Sequence, residues 1–92
     1  MEQMHKVFIA LGANLGDREA NIWRALRELH ARGVALRAVS PLYETEPWGL
    51  TDQPLFLNAA CAAETALEPL ALLDTLKEIE RALGRVPTVP NG

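Results

Sequence analysis

The chain has 92 residues, 49% of them apolar and 23% charged, a balance that fits one small globular domain, neither disordered nor membranous. The net charge is −3, with acidic and basic residues interleaved, which argues against nucleic acid, whose binding draws on clustered Lys and Arg. No apolar run approaches the ~20 residues that cross a bilayer, so no membrane partner is expected.

The opening residues, Met1-Glu2-Gln3-Met4-His5-Lys6, are polar and lead straight into a strand-like run, which is not the pattern of a signal peptide. Val7-Phe8-Ile9-Ala10-Leu11 is compact, apolar and stopped by Gly12, and reads as a buried strand. Gly12-Ala13-Asn14-Leu15-Gly16-Asp17 follows as a turn. Glycines ahead of a helix can cradle a phosphate, but this segment lacks both the dinucleotide fingerprint and the P-loop Lys-Ser/Thr. It reads as a tight strand-to-helix turn braced by Asn14, with Asp17 as the helix N-cap. From Arg18 to Arg32, apolar residues recur at Ile22, Leu26 and Leu29, flanked by Trp23 and Ala25. That is helical spacing, and Gly33 stands where a C-terminal cap belongs.

Val34 to Tyr43 is rich in Val, Leu and Ala without a helical stripe, and reads as a strand ending near Pro41 or Tyr43. Glu44 to Pro54 holds Pro47, Gly49 and Pro54 and is a loop; at roughly ten residues it exceeds the usual connection, a length commoner in functional loops. Leu55 to Ala63 is a second apolar run, a central strand whose Ala-Ala-Cys-Ala-Ala stretch lets a helix pack close. Cys61 is the single cysteine, so no intrachain disulfide can form and a reducing cytosol is the expected compartment. Thr65-Ala66-Leu67-Glu68 has capping-box spacing, but a helix begun there would hold Pro69 inside it. Pro69 at the first helical position is the better start. Leu72, Leu76, Ile79 and Leu83 then form one apolar stripe, ended by Gly84.

The order is strand, helix, strand, strand, helix (βαββα), an α/β chain of the α+β kind. A ferredoxin-like split βαβ sheet needs one more strand beside the first, and none is read in this chain. Its tail closes on Asn91-Gly92, a hairpin-turn signal with nothing after it. The expectation is a single but incomplete domain over 1–92, a piece of a longer polypeptide; a frayed tail is the plain alternative. An open strand edge also allows a second chain, or a cleaved remainder, to complete the sheet.

Four segments, in register along nearly the whole chain, resemble one family. Ile9-Ala10-Leu11-Gly12-Ala13-Asn14-Leu15-Gly16 resembles the opening strand and turn of the 6-hydroxymethyl-7,8-dihydropterin pyrophosphokinases. Ser40-Pro41-Leu42-Tyr43-Glu44-Thr45-Glu46-Pro47-Trp48-Gly49 resembles their pterin-side loop, and Asp52 to Ala60 the strand after it. Glu78-Ile79-Glu80-Arg81-Ala82-Leu83-Gly84-Arg85 resembles their helix leading toward a metal site. The resemblance implies transfer of a diphosphate from ATP to 6-hydroxymethyl-7,8-dihydropterin in folate biosynthesis, releasing AMP.

A pterin is a flat ring with a dense edge of donors and acceptors, and wants an aromatic face beside a side chain that both donates and accepts. On a strand, Phe56 and Asn58 are two apart and share a face. Phe56 can stack while the Asn58 amide reads the ring edge. The plain reading makes Phe56 core and Asn58 a cap on a backbone group; the resemblance tips the balance to the pterin. It also implies that Thr45, Pro47 and Trp48 wall the pocket. Many relatives carry tyrosine where this chain has Phe56, a change that keeps stacking and loses a hydroxyl.

For Lys77 and Glu80, three apart on the second helix, the plain reading is a solvated ion pair worth a few tenths of a kcal/mol. The resemblance places both near ATP, with Arg85 as the catalytic cation. Pro87 and Pro90 stand where relatives often carry arginines, leaving Arg85 as the only cation of that loop. The family's two magnesium ions are held by two aspartates in a Pro-Arg-x-x-Asp-x-Asp segment, expected just beyond Gly92. Asp52 and Asp74 do not match it, so no metal ligand is assigned in this chain and the 92 residues alone are expected to be inactive. His5 and His30 are given no chemistry. A non-catalytic ferredoxin-like binding or regulatory module is the alternative; it explains size and charge but not the ordered residues from Tyr43 to Asn58.

Overall fold

The structure, a computed structural model, describes residues 3–46, 54–83 and, as backbone, 88–91. Its elements are β1 (His5–Ala13), α1 (Arg18–Ala31), β2 (Val34–Val39), β3 (Tyr43–Thr45), β4 (Phe56–Thr65), α2 (Pro69–Ala82) and β5 (Thr88–Asn91). The strands form one antiparallel sheet in the order β2-β4-β1-β5, with β3 also paired to β4. Counting β2 and β3 as one interrupted strand, that is the ferredoxin-like order expected from the sequence.

One expectation is corrected. No strand was read beside the first, yet Thr88–Asn91 lies there, with Phe8 opposite Asn91 and Leu11 opposite Thr88. Pro90 hid it: a residue without an N–H reads as a strand breaker, but β5 is an edge strand, where proline is tolerated. Asn91 is itself paired in the ladder.

The strand read from Val34 to Tyr43 is interrupted at residues 40–42. Pro41 cannot donate to a ladder, and Ser40 bridges the gap. Its backbone N–H donates to the Ala60 carbonyl at 2.8 Å, while the Ala60 N–H donates to the Ser40 hydroxyl oxygen at 2.9 Å. Pairing with β4 therefore resumes at Tyr43.

Both helices lie on one face of the sheet. Ile22, Ala25, Leu26 and Leu29 of α1 and Leu72, Leu76 and Ile79 of α2 are buried against Val7, Ile9, Leu11 and Ala13 of β1 and Ala59, Cys61 and Ala63 of β4. The two-residue period of a strand sends the intervening residues to the other face, where Phe8 is 59% exposed and Ala10 and Ala60 are exposed. Ala59, Cys61 and Ala63 are the small residues that let the helices approach.

The ends of α1 are built as read. The Ala20 N–H donates to the Asp17 carboxylate at 3.1 Å, and Gly33, at φ +94°, closes the C-terminus in a conformation that favours glycine. The brace of the β1–α1 turn differs from the reading: Asn21 rather than Asn14 holds it, donating to the Leu15 carbonyl at 3.2 Å. Helical side chains tilt toward their own N-terminus, which puts Asn21 over the turn. α2 begins at Pro69, with Glu68 as N-cap residue. Thr65 is committed elsewhere: its hydroxyl donates to the Gly33 carbonyl at 2.9 Å and accepts from the Leu67 N–H at 3.1 Å. Gly84, read as the end of α2, lies outside the described residues.

Candidate functional site

Phe56 and Asn58 stand on the helix-free face of β4, about 6.6–6.8 Å apart along the strand. Both are half-buried. Opposite them on β3 are Thr45, paired with Phe56, and Tyr43, paired with Asn58. On the other side Gly12 of β1 pairs with Asn58 and brings no side chain to that face. β1 ends at Ala13, opposite Leu57, so the Thr45–Phe56 step lies one residue past it and rests on β3 and β4.

The Asn58 amide nitrogen donates to the Thr45 hydroxyl at 2.7 Å, to the Tyr43 carbonyl at 3.3 Å and to the Phe56 carbonyl at 3.4 Å. Two amide hydrogens thus serve three acceptors, and the Thr45 contact is the short one. The geometry of Asn58 bears directly on the plain reading. It does satisfy backbone carbonyls, as the plain reading held. Its orientation also leaves Oδ1 without a donor among the described residues. The Thr45 hydroxyl, accepting from Asn58, keeps its own hydrogen to donate. Fixed in this way, the pair offers one donor and one acceptor next to an aromatic ring.

Thr45, Phe56 and Asn58 are therefore brought together. Pro47 and Trp48 lie outside the described residues, as does Arg85. Lys77 is exposed and Glu80 half-buried on α2, which packs on the opposite face of the sheet. Among the described residues no three His, Cys, Asp or Glu side chains group to hold a metal ion. No described helix is long and apolar enough to cross a membrane.

One contact near the site was not read from the sequence. Arg18, the first residue of α1, donates from Nη1 to the Glu44 carboxylate at 3.0 Å and to the Leu55 carbonyl at 2.9 Å. Its only sequence signal was a cation at a helix start, where acidic residues are the favoured ones. Cys61 sits in the core beneath β4; burial pushes its thiol pKa up, offset in part by a hydrogen bond with the Ile9 backbone. An open, mostly apolar groove of about 650 Å³ runs elsewhere, between α1 and β2, past Trp23, Arg27, Leu36 and Val39. It shares no residue with the Phe56–Asn58 face, and the donor–acceptor chemistry is at the latter.

Residues 8–92 match the family model described as 7,8-dihydro-6-hydroxymethylpterin-pyrophosphokinase. A 2-amino-4-hydroxy-6-hydroxymethyldihydropteridine pyrophosphokinase of Methylorubrum extorquens is 46% identical over 84 residues, covering 90% of this chain and 53% of that protein. Its counterpart in Bacillus subtilis is 45% identical over 83 residues, covering 89% and 50%. A folate synthesis bifunctional protein of Arabidopsis thaliana is 50% identical over 80 residues, covering 87% of this chain and 16% of its own. The chain thus spans about half the length of these two bacterial relatives and a much smaller share of the larger one.

Proposed function

Because the chain belongs to the 7,8-dihydro-6-hydroxymethylpterin-pyrophosphokinase family, matched over residues 8–92, we propose that it supplies the pterin-holding part of an enzyme that moves diphosphate from ATP to 6-hydroxymethyl-7,8-dihydropterin. In that reaction the pterin's hydroxymethyl oxygen attacks the β-phosphorus of ATP. The bond from that phosphorus to the α-phosphate oxygen breaks, AMP leaves, and the hydroxyl proton is lost. No covalent enzyme intermediate is needed, so positioning and charge neutralisation carry the rate.

What these residues do is hold the pterin. Phe56 stacks on the ring, Asn58 Oδ1 accepts from an N–H of its edge, and the Thr45 hydroxyl donates to an acceptor on that edge. Pro47 and Trp48 complete the wall. The observation that carries this reading is the 2.7 Å bond from Asn58 to Thr45, which fixes acceptor and donor side by side next to the ring of Phe56. Lys77, Glu80 and Arg85 are assigned to ATP, with Arg85 neutralising charge at the transferring group. Magnesium ligands come from residues other than those described. A cytosolic setting follows from the unpaired Cys61.

Calorimetric titration with 6-hydroxymethyl-7,8-dihydropterin tests the assignment. Losing the edge acceptor in Asn58→Ala is expected to weaken binding about tenfold, the scale of one well-placed buried hydrogen bond. Equal affinity in the variant and the wild type would remove Asn58 from the site.

A further inference from the structure

Thr45 and Phe56 stand at a weak place in the fold. β3 has three residues, and at the Thr45–Phe56 step the ladder has lost β1, leaving two strands. A two-stranded ribbon is marginally stable by itself. Yet a ring that stacks and a hydroxyl that donates must be held to fractions of an ångström if they are to select a flat ligand.

We propose that Arg18 is a positioning residue for this step, bracing it from the helix side. Glu44 and Leu57 pair with side chains on the helix-covered face, while Thr45 and Phe56 point to the other. Through one guanidinium nitrogen Arg18 binds Glu44, the residue before Thr45, and the carbonyl of Leu55, the residue before Phe56. A single cation thus ties together the two strands at the residues that precede the pair, from the face opposite the ligand. It never touches the pterin. Its place at the first position of α1, after the Asp17 cap, connects that tip to the best-packed helix of the domain. A helix N-terminus disfavours a cation, and the two contacts offset that cost.

The inference rests on the pterin reading for its consequence, but the brace itself does not, and two measurements separate them. The first is amide hydrogen exchange. Arg18→Gln should speed exchange at Phe56, which pairs with Thr45 in the β3–β4 ladder, and leave Ile9 and Cys61 unchanged. The second is the dissociation constant for 6-hydroxymethyl-7,8-dihydropterin, which should rise roughly fivefold, the effect of losing one exposed charge-assisted contact. The thermal midpoint should hardly move, since Arg18 is a surface residue outside the core. Glu44→Gln should reproduce part of the affinity loss, and the double variant should lose less than the two single losses combined, as coupled partners do. Unchanged exchange at Phe56 in Arg18→Gln would overturn the brace whatever the ligand result. Faster exchange with an unchanged dissociation constant would overturn the positioning role. If wild-type protein binds no pterin, the functional reading fails, while exchange at Phe56 still decides whether Arg18 holds the step.

Discussion

The Asn58 amide donates to the Thr45 hydroxyl at 2.7 Å, so removing it takes away a structural contact together with the proposed ligand contact. Asn58→Ala is expected to cost about 0.5–1.5 kcal/mol of stability, the usual net value of such a bond, measurable by urea denaturation. That is too small to unfold the domain and leaves the pterin titration interpretable. Phe56 separates ring from hydroxyl. Phe56→Tyr should keep pterin affinity within a few-fold, because the stacking face survives, whereas Phe56→Ala should lose it. The pairing of residues 56 and 58 was legible from strand alternation alone. Which amide atom faces the ligand was not, because that depends on Tyr43 and Thr45 across the ladder, and register is a tertiary fact.

The two helices were the most legible elements. Their apolar stripes, the Asp17 cap, Gly33 and Pro69 are local signals, and each holds in the structure. The strands were legible where burial is one-sided and missed where a proline intrudes. Pro41 splits one strand in two, and Pro90 sits in an edge strand that local propensity argues against. The helix ends also differ in quality. Glu68 makes no side-chain cap bond at the start of α2, so Glu68→Ser should stabilise the protein by about 0.5–1 kcal/mol, seen as a higher urea midpoint. At the other kind of end, Gly33→Ala forces a side chain into a left-handed backbone with nothing else nearby to clash. A loss of about 1 kcal/mol from conformation alone is expected there. On β4, Cys61 makes stability depend on pH. Its thiol pKa is raised by burial, so the folded state keeps a proton that the unfolded chain releases at about pH 8.5. That contribution is complete below the unfolded value and is lost as pH rises through the folded one. Urea midpoints should fall as pH rises above about 8.5, and Cys61→Ala should flatten the decline.

At the scale of the molecule, the sheet divides the work. One face is closed by α1 and α2 over a core from Val7 to Ile79, and the other carries Phe56, Asn58 and Thr45, the residues proposed to hold the pterin. The helices stabilise, and the bare face is left for chemistry. This division follows from the period of two along β1 and β4, so the sequence shows it. The sequence does not show the cross-sheet partners. Arg18 meets Glu44 and Leu55 from 26 and 37 positions away, and no local pattern signals a pairing at that distance. The resemblance to the pyrophosphokinases singles out Phe56 and Asn58 of β4 by their order, and the fold sets both beside β3, opposite Thr45 and Tyr43.

The most direct test of the pterin-holding face is a backbone amide NMR titration of this chain with 6-hydroxymethyl-7,8-dihydropterin. A ligand stacked on Phe56 and bonded to Asn58 will shift the signals of Thr45, Phe56 and Asn58 first and furthest, leaving α2 still. Saturable shifts confined to Trp23, Arg27 and Leu36 along the α1–β2 groove, with residues 45, 56 and 58 unmoved, would contradict it.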